Sequence, residues 1–179
     1  MRAMRYGEAN RLQRRLRALP GLGWVTWCFS RALRPIDRAV FRISGGRHTL
    51  VSLLTGLPVV MLRTTGARSG QVRTLPVLGI PDGDRIVVLA SNWGNQHHPS
   101  WYHNLRAHPR ASVSVGGRTT PVRASEPTGE ERDRLWLRAL EYYPVWRTYQ
   151  SRAGGRSIPV VVLTPEDRDA TQGAEETAG

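Results

Sequence analysis

Past Leu57 the chain is cut into short β-type runs by connections too brief for neighbouring strands to run parallel, and no other feature limits its fold so much. A parallel crossover needs about a dozen residues or more. Residues 66–70, the turn Pro81-Asp82-Gly83-Asp84 and the pair Gly116-Gly117 are far shorter, and their Gly, Pro and Asp content is that of hairpin turns. The apolar and β-branched runs predict strands over about 59–65, 71–79, 85–91, 111–115, 119–124 and 158–164. Two helices interrupt them. One opens with Pro99 at its first position and stops at Ala107 before Pro109. The other starts at Thr128, where Thr-Gly-Glu-Glu places Glu131 to complete a capping box, and runs to about Tyr143 before Pro144. The fold class is therefore mainly β with flanking helices (α+β). Six antiparallel strands close into a small barrel that leaves no long edge open.

A chain of 179 residues with 40% apolar content buries a real core and amounts to one domain with extensions. All 26 basic residues are Arg. With no Lys, P-loop lysines, Schiff bases and lysine general bases are excluded, and Arg is left to bind phosphate and carboxylate. Residues 1–48 carry 11 Arg against Glu8 and Asp37, residues 49–165 carry 14 Arg against 7 acids, and residues 166–179 are acidic and rich in Gly, Ala and Thr. This divides the chain into a basic amphipathic helical front, a barrel domain and a disordered acidic tail. In the front, Leu12, Leu16 and Leu19 share one helical face among arginines, and Trp24 and Trp27 follow. Such a segment either caps the barrel or lies on the inner surface of the cell membrane. The longest uncharged run of this front, residues 18–30, is too short to span, since about 20 residues are needed. Pro20 and Gly21 interrupt any signal-peptide core. The only cysteine, Cys28, asks for no oxidising compartment, so the expected location is cytoplasmic.

Two stretches carry chemistry. TTGARSGQVRTLP, residues 64–76, has two glycines that let backbone amides point into one concavity, with Arg68, Ser69 and Arg73 adding donors around it. It is an anion site in outline, or an ordinary hairpin loop with solvated arginines. ASNWGNQHHPSWYHNL, residues 90–105, leaves a strand through small polar residues and begins a helix at Pro99. Its Trp93, Trp101 and Tyr102 offer flat apolar surface beside helix-start amides, which suits a planar heteroaromatic ring, though a structural turn with core aromatics fits equally. Tyr142, Tyr143, Trp146 and Tyr149 cluster around Pro144, and the break there suggests a bent, partly exposed, ligand-facing segment, with core packing as the alternative. The five histidines lack metal-ligand spacing, so no metal site is expected. Catalytic Ser-His-Asp chemistry has no nucleophile-elbow motif. The aromatics are not interleaved with Arg, so nucleic acid is not an expected partner.

Taken in order, TTGARSGQVRTLP, ASNWGNQHHPSWYHNLRAHP, EYYPVWRTYQ and IPVVVLTP resemble the deazaflavin-dependent nitroreductase family, split-barrel reductases that use the 8-hydroxy-5-deazaflavin coenzyme F-420. The resemblance spans about residues 56–165 and implies a six-stranded antiparallel split β-barrel of the FMN-binding type. It also implies that Ala67, Arg68, Ser69, Arg73, Thr74 and Leu75 hold the coenzyme's phosphate side. Leu89, Ala90, Ser91 and Asn92 would meet the ring, with Ser100, Trp101, Tyr102, His103 and Asn104 at the helix start. Tyr143, Trp146 and Tyr149 would face the acceptor, with Trp146 also over the deazaflavin. Ser91, Tyr143 and Tyr149 are the candidate catalytic groups, as donors to the acceptor oxygen. Asn92 stands where the family's pattern has a lysine and Trp146 where it has a tyrosine, which separates the chain from the nitro-reducing pattern. The expected function is F-420-dependent hydride delivery to a quinone or another electron-poor conjugated acceptor such as a nitroaromatic. FMN is the second choice of cofactor, and a deazaflavin carrier without acceptor chemistry is the second choice of function.

Overall fold

The computed structural model describes residue 10 and residues 56–166. The front segments expected over residues 1–48 lie outside the described residues apart from residue 10, as does the tail apart from Glu166. Seven strands form one sheet: β1 (Val59–Thr65), β2 (Val72–Leu78), β3 (Ile80–Asp82), β4 (Arg85–Leu89), β5 (Arg110–Val115), β6 (Arg118–Ser125) and β7 (Val160–Pro165). Six fall where the turn spacing put them. The seventh exists because the run expected to end at Gly79 does not end there; it bends and continues as β3.

Up to Leu78 the chain pairs with β1, Leu78 lying opposite Val59, and from Ile80 it pairs with β4, Ile80 lying opposite Val87. Between them, the Gly79 amide donates to the Pro58 carbonyl at 2.8 Å. A Cβ on Gly79 would stand 2.8 Å from a Val60 methyl and 2.9 Å from one of Ile86, so this corner admits only glycine. β2 and β3 are thus one bent strand shared by the two ends of the order β2-β1-β5-β6-β7-β4-β3, and the sheet closes through it. Every pairing is antiparallel, so β1, β4 and β6 run in one direction and end at the same end of the barrel, where β5 and β7 begin.

The alternation of side chains along β4 and β7 serves two cores. Val88, Val161 and Leu163 point into the barrel, where they join Leu62 and Val113. Val87, Leu89, Val160 and Val162 point outward under helices. Strands buried on both faces read as continuous apolar runs, as IVVL and VVVL do. Helix α1 (Ser100–Ala107) plugs the inner core, while α2 (Gly129–Tyr142) and α3 (Trp146–Arg152) cover the outer one. Two local details differ from expectation. Pro99 is the N-cap of α1 rather than its first residue. Thr128 caps α2 without a side-chain bond, and Gly129 enters with φ +56°, so no capping box forms.

α2 is fastened to the β3–β4 turn by one carboxylate. Asp82 takes Arg134 at 3.1 Å and Arg85 at 2.8 Å, with Arg138 at 3.5 Å, and Arg85 reaches on to Glu131 at 3.0 Å. The bond from Arg134, followed by that from Arg85, outweighs desolvation and holds the Asp82 carboxyl down at about 2.

Gly79→Ala forces a methyl against stiff β-branched neighbours in a packed wall, and overpacking of this kind costs about 1–3 kcal/mol. The substitution is expected to lower the urea midpoint with little change in slope. An unchanged midpoint would show that the corner has room to give.

Candidate active site

The loop after β1 is built to present its backbone. Gly66 and Gln71 close it, the Gly66 amide donating to the Gln71 carbonyl at 2.9 Å, while Gly70 turns at φ +65° and donates back to the Gly66 carbonyl at 2.9 Å. A Cβ at Gly66 would sit 2.6 Å from the Ser69 hydroxyl, so that space belongs to the serine. The loop is fastened to α1 by Asn104, whose Oδ1 accepts from the Ala67 amide at 3.0 Å and whose Nδ2 donates to the Thr64 hydroxyl at 3.0 Å. Asn104 is 8% exposed and Thr64 1%, so the pair is a buried polar link that needs both partners.

Between this loop and α1 lies a cleft of about 690 Å³ lined by Gly66, Ala67, Arg68, Ser69, Arg73, Ser100, His103, Asn104, Arg106 and Ala107. Three guanidiniums and two hydroxyls face it, and among the described residues no carboxylate does. Arg73 is steadied by Gln71 Oε1 at 2.8 Å. The helix divides its residues by face. Ser100, His103 and Arg106 turn to the cleft, whereas Trp101, Tyr102 and Leu105 are buried in the inner core.

The strand end after β4 takes an unusual course. Asn92, Trp93 and Gly94 all lie in the left-handed region, at φ 46°, 60° and 79°. For a bulky residue this is an outlier, with a cost on the order of 1–3 kcal/mol per residue. Arg156, just before β7, secures the turn. Its Nη1 donates to the Ala90 carbonyl at 3.3 Å, and its Nη2 donates to the carbonyls of Ser91 at 3.1 Å and Asn95 at 2.8 Å. Nη1 also lies 3.0 Å from His98 Nδ1, and since a guanidinium only donates, that nitrogen is the acceptor. Burial, and then the Arg156 charge, lower the pKa of His98, so its ring is held neutral. The His98 ring lies 4.7 Å from that of Tyr102, whose hydroxyl donates to Glu126 at 2.9 Å.

The third aromatic group is not the partly exposed segment expected. Tyr143, Trp146 and Tyr149 are 4%, 3% and 2% exposed and belong to the outer core, because the chain after Pro144 turns into α3 and lays its apolar face inward. The hydroxyls of Tyr143 and Tyr149 lie 3.3 Å apart, and Tyr143 meets Trp146 edge-on at 5.4 Å. Burial pushes the Tyr149 phenol up to about 12 and that of Tyr143 higher still, so both are protonated donors at physiological pH.

The residues expected at the site thus fall into separate places. Ala67, Arg68, Ser69, Arg73, Ser100, His103 and Asn104 share the cleft. Thr74 is exposed further along β2, and Leu75 packs on the inner core. Leu89 and Ala90 are buried, with Ser91 and Asn92 half-buried at the turn. Sequence reasoning missed Arg106, His98 and Arg156. Of these only Arg106 had a usable signal, since it lies one helical turn from His103 on the same face.

The pattern of the F420H(2)-dependent quinone reductase family matches residues 34–165. The chain belongs to that family. It is 38% identical over 131 residues to an F420H(2)-dependent quinone reductase of Mycobacterium tuberculosis (strain ATCC 25618 / H37Rv), an alignment covering 70% of this chain and 85% of that one. Among solved structures it resembles an F420-H2 dependent reductase (FDR-A), with a TM-score of 0.55 and 39% identity over 59% of this chain and 93% of that one. It also resembles a chain described as a domain-swapped dimer, with a TM-score of 0.57 and 33% identity over 79% of this chain and 99% of that one. The family match begins inside the basic front segment.

The reductase is thus an oxidoreductase whose coenzyme is F-420 and whose acceptor is a quinone. Its cleft suits that coenzyme, whose phosphate and oligoglutamate tail is anionic, because its donor set among the described residues is cationic and free of carboxylates. A charge-assisted hydrogen bond contributes about 1.5–3 kcal/mol, so Arg73→Ala is expected to weaken coenzyme binding roughly 10- to 150-fold in a fluorescence titration, and Arg68→Ala to weaken it as well. Arg118, which lines a small pocket of about 120 Å³ with Asp84 and Val115 away from this cleft, is the control and should have no effect. Unchanged dissociation constants for both cleft variants would remove the cleft from the site.

Proposed function

We propose that Arg68, Arg73 and Arg106 hold the coenzyme's phosphate and carboxylates, that the turn from Ala90 to Asn92 borders its ring, and that the acceptor enters on the side of Tyr143, Trp146 and Tyr149. The observation that carries this reading is the cleft lined, among the described residues, by three arginines and no acid, with its His103 ring 5.9 Å from the His98 ring that Arg156 holds. When bound, reduced F-420 supplies a hydride that, with one proton, converts a quinone to its hydroquinone. The protein's own work is to position and to polarise. Ser91, Tyr143 and Tyr149 are the candidate donors to the acceptor oxygen as it gains charge, the two phenols being protonated and shielded from water. Thr74, Leu75, Trp101 and Tyr102 contribute by shaping the walls rather than by direct polar contact. Trp146 supplies apolar area beside Tyr143, which favours an extended ring over a small nitro compound.

Anaerobic mixing of the protein with reduced F-420 and a menaquinone analogue should show loss of the reduced coenzyme matched by loss of quinone, and reduced FMN should not substitute. Tight coenzyme binding with no turnover across a panel of quinones and nitroimidazoles would instead make the chain a carrier.

Quinones of this chemistry dissolve in lipid, and this supports a second part of the reading, that residues 1–48 rest on the cytoplasmic membrane surface. Leu12, Leu16 and Leu19 offer an apolar face, and each nearby Arg contributes about 1 kcal/mol toward anionic lipid. In liposome flotation the full chain should rise with anionic vesicles at low salt, and a chain starting near Gly45 should stay below. Equal flotation of the two would assign the front segment to the barrel alone.

A further inference from the structure

We propose that Trp93 determines acceptor specificity: its indole is the outer wall of the acceptor site, presented there by a strained turn that Arg156 locks. The inference rests on the acceptor reading above and gives Trp93, which the sequence offers only as flat surface suited to a planar ring, a specificity role that the family match does not assign.

Three observations converge on it. Trp93 is 39% exposed, while Trp101 and Trp146 are buried, so its ring faces solvent at the end of the barrel where β4 stops. It is held at φ 60° between Asn92 at 46° and Gly94 at 79°, a conformation that an exposed tryptophan does not adopt unless its surroundings impose it.

The surroundings do impose it. Arg156 grips the carbonyls of Ala90, Ser91 and Asn95, the Asn92 side chain donates to the His97 carbonyl at 2.9 Å, and the Asn95 side chain donates to the Asn92 carbonyl at 2.8 Å. Arg156 is itself fixed, its own carbonyl accepting from Gln150 Nε2 at 2.7 Å. On the other side, Gly94 lies so close to α3 that a Cβ would come within 3.0 Å of the Tyr149 backbone.

The third observation is what the turn points the indole toward. Trp93 meets the Tyr149 ring edge-on, with centroids 6.2 Å apart, so the exposed indole continues the buried Tyr143–Trp146–Tyr149 group out to the surface. An electron-rich indole beside protonated phenols suits a flat, electron-poor ring that carries oxygen acceptors, which is the chemistry of a quinone. Strain of this kind is kept where a precise presentation is useful, and an indole needed only for packing would have no reason to stay exposed.

The test is Trp93→Gly, with Trp93→Asn as a second variant, because both residues accept the left-handed conformation and should fold at least as stably as the parent. With menadione as acceptor, each variant should raise KM about 2- to 10-fold, the size of one aromatic contact, while the dissociation constant for F-420 stays within twofold. Calorimetric binding of menadione to the protein carrying oxidised F-420 should weaken by a similar factor. Trp93→Phe should fall between. Unchanged menadione KM and affinity in both variants, with turnover intact in the parent, would overturn the proposal and leave the acceptor reading standing. A loss of F-420 affinity without a change in menadione KM would overturn it too, by assigning the indole to the coenzyme. If the parent does not reduce menadione but binds it in a Trp93-dependent way, the acceptor reading fails and the platform remains. A parent that neither binds nor reduces menadione ends both.

Discussion

The architecture depends on a corner that has no space for a side chain. Gly79 lets one strand leave β1 and join β4 within a single residue, with its amide still bonded to Pro58. That step joins the two ends of the sheet through one bent strand, β2 pairing with β1 and β3 with β4, and curls the sheet into a barrel. Closure with strictly antiparallel pairing then fixes where the loops emerge. The loop after β1, the turn after β4 and the residues before β7 arrive at the same end, where Arg156 bonds to Ser91 and the loop bearing Ala67 emerges, although these residues are far apart in sequence.

At that end two side chains convert loops into a rigid site, and both do so through backbone atoms. Asn104 spends its amide on Thr64 and Ala67, which sets the height of the arginine-bearing loop over α1. Arg156 spends its guanidinium on three carbonyls and a histidine nitrogen, which sets the path of the strained turn. Each is a buried or half-buried polar group whose partners would otherwise lose their bonds to water, so removing either costs more than the bonds alone. Neither needs to touch a ligand to matter. Asn104 lines the cleft while one Nδ2 hydrogen and one Oδ1 lone pair hold the loop, which gives it a positioning role.

The strands were legible because turn chemistry and apolar runs are local, and the spacing of Gly, Pro and Asp between them admits few topologies. The corner was not legible, because a glycine closing an apolar run reads as a stop, and only the partner strands show that the chain continues beyond it. The cationic loop could be read from TTGARSGQVR, since its glycines and arginines act within five or six residues of one another. Arg156 could not, as its partners lie 58 to 66 positions earlier. The burial of Tyr143, Trp146 and Tyr149 was missed for a related reason. Pro144 does break α2, but α3 starts two residues later and folds the aromatic face back onto the outer core, a tertiary outcome that no local rule contains.

The site as proposed combines two electrostatic regimes that a single environment could not supply. On one side of α1, arginines exposed to solvent favour a polyanion with little desolvation, and their attraction falls with added salt. On the other side of the Arg156-held turn, two phenols sit in a region so poor in water that their ionisation is suppressed, which keeps them as donors and keeps charge away from the apolar wall. Arg156 belongs to neither regime. Half-buried, with an Nε that finds no partner among the described residues, it places a fixed positive charge behind the strand end between them. Negative charge developing on an acceptor near Ser91 would meet that charge through the carbonyls it polarises, while the same charge discourages a proton on His98. The charge is set by folding, before any ligand arrives, so in the proposed site stabilising a developing oxyanion would require no reorganisation of the protein at the moment of transfer.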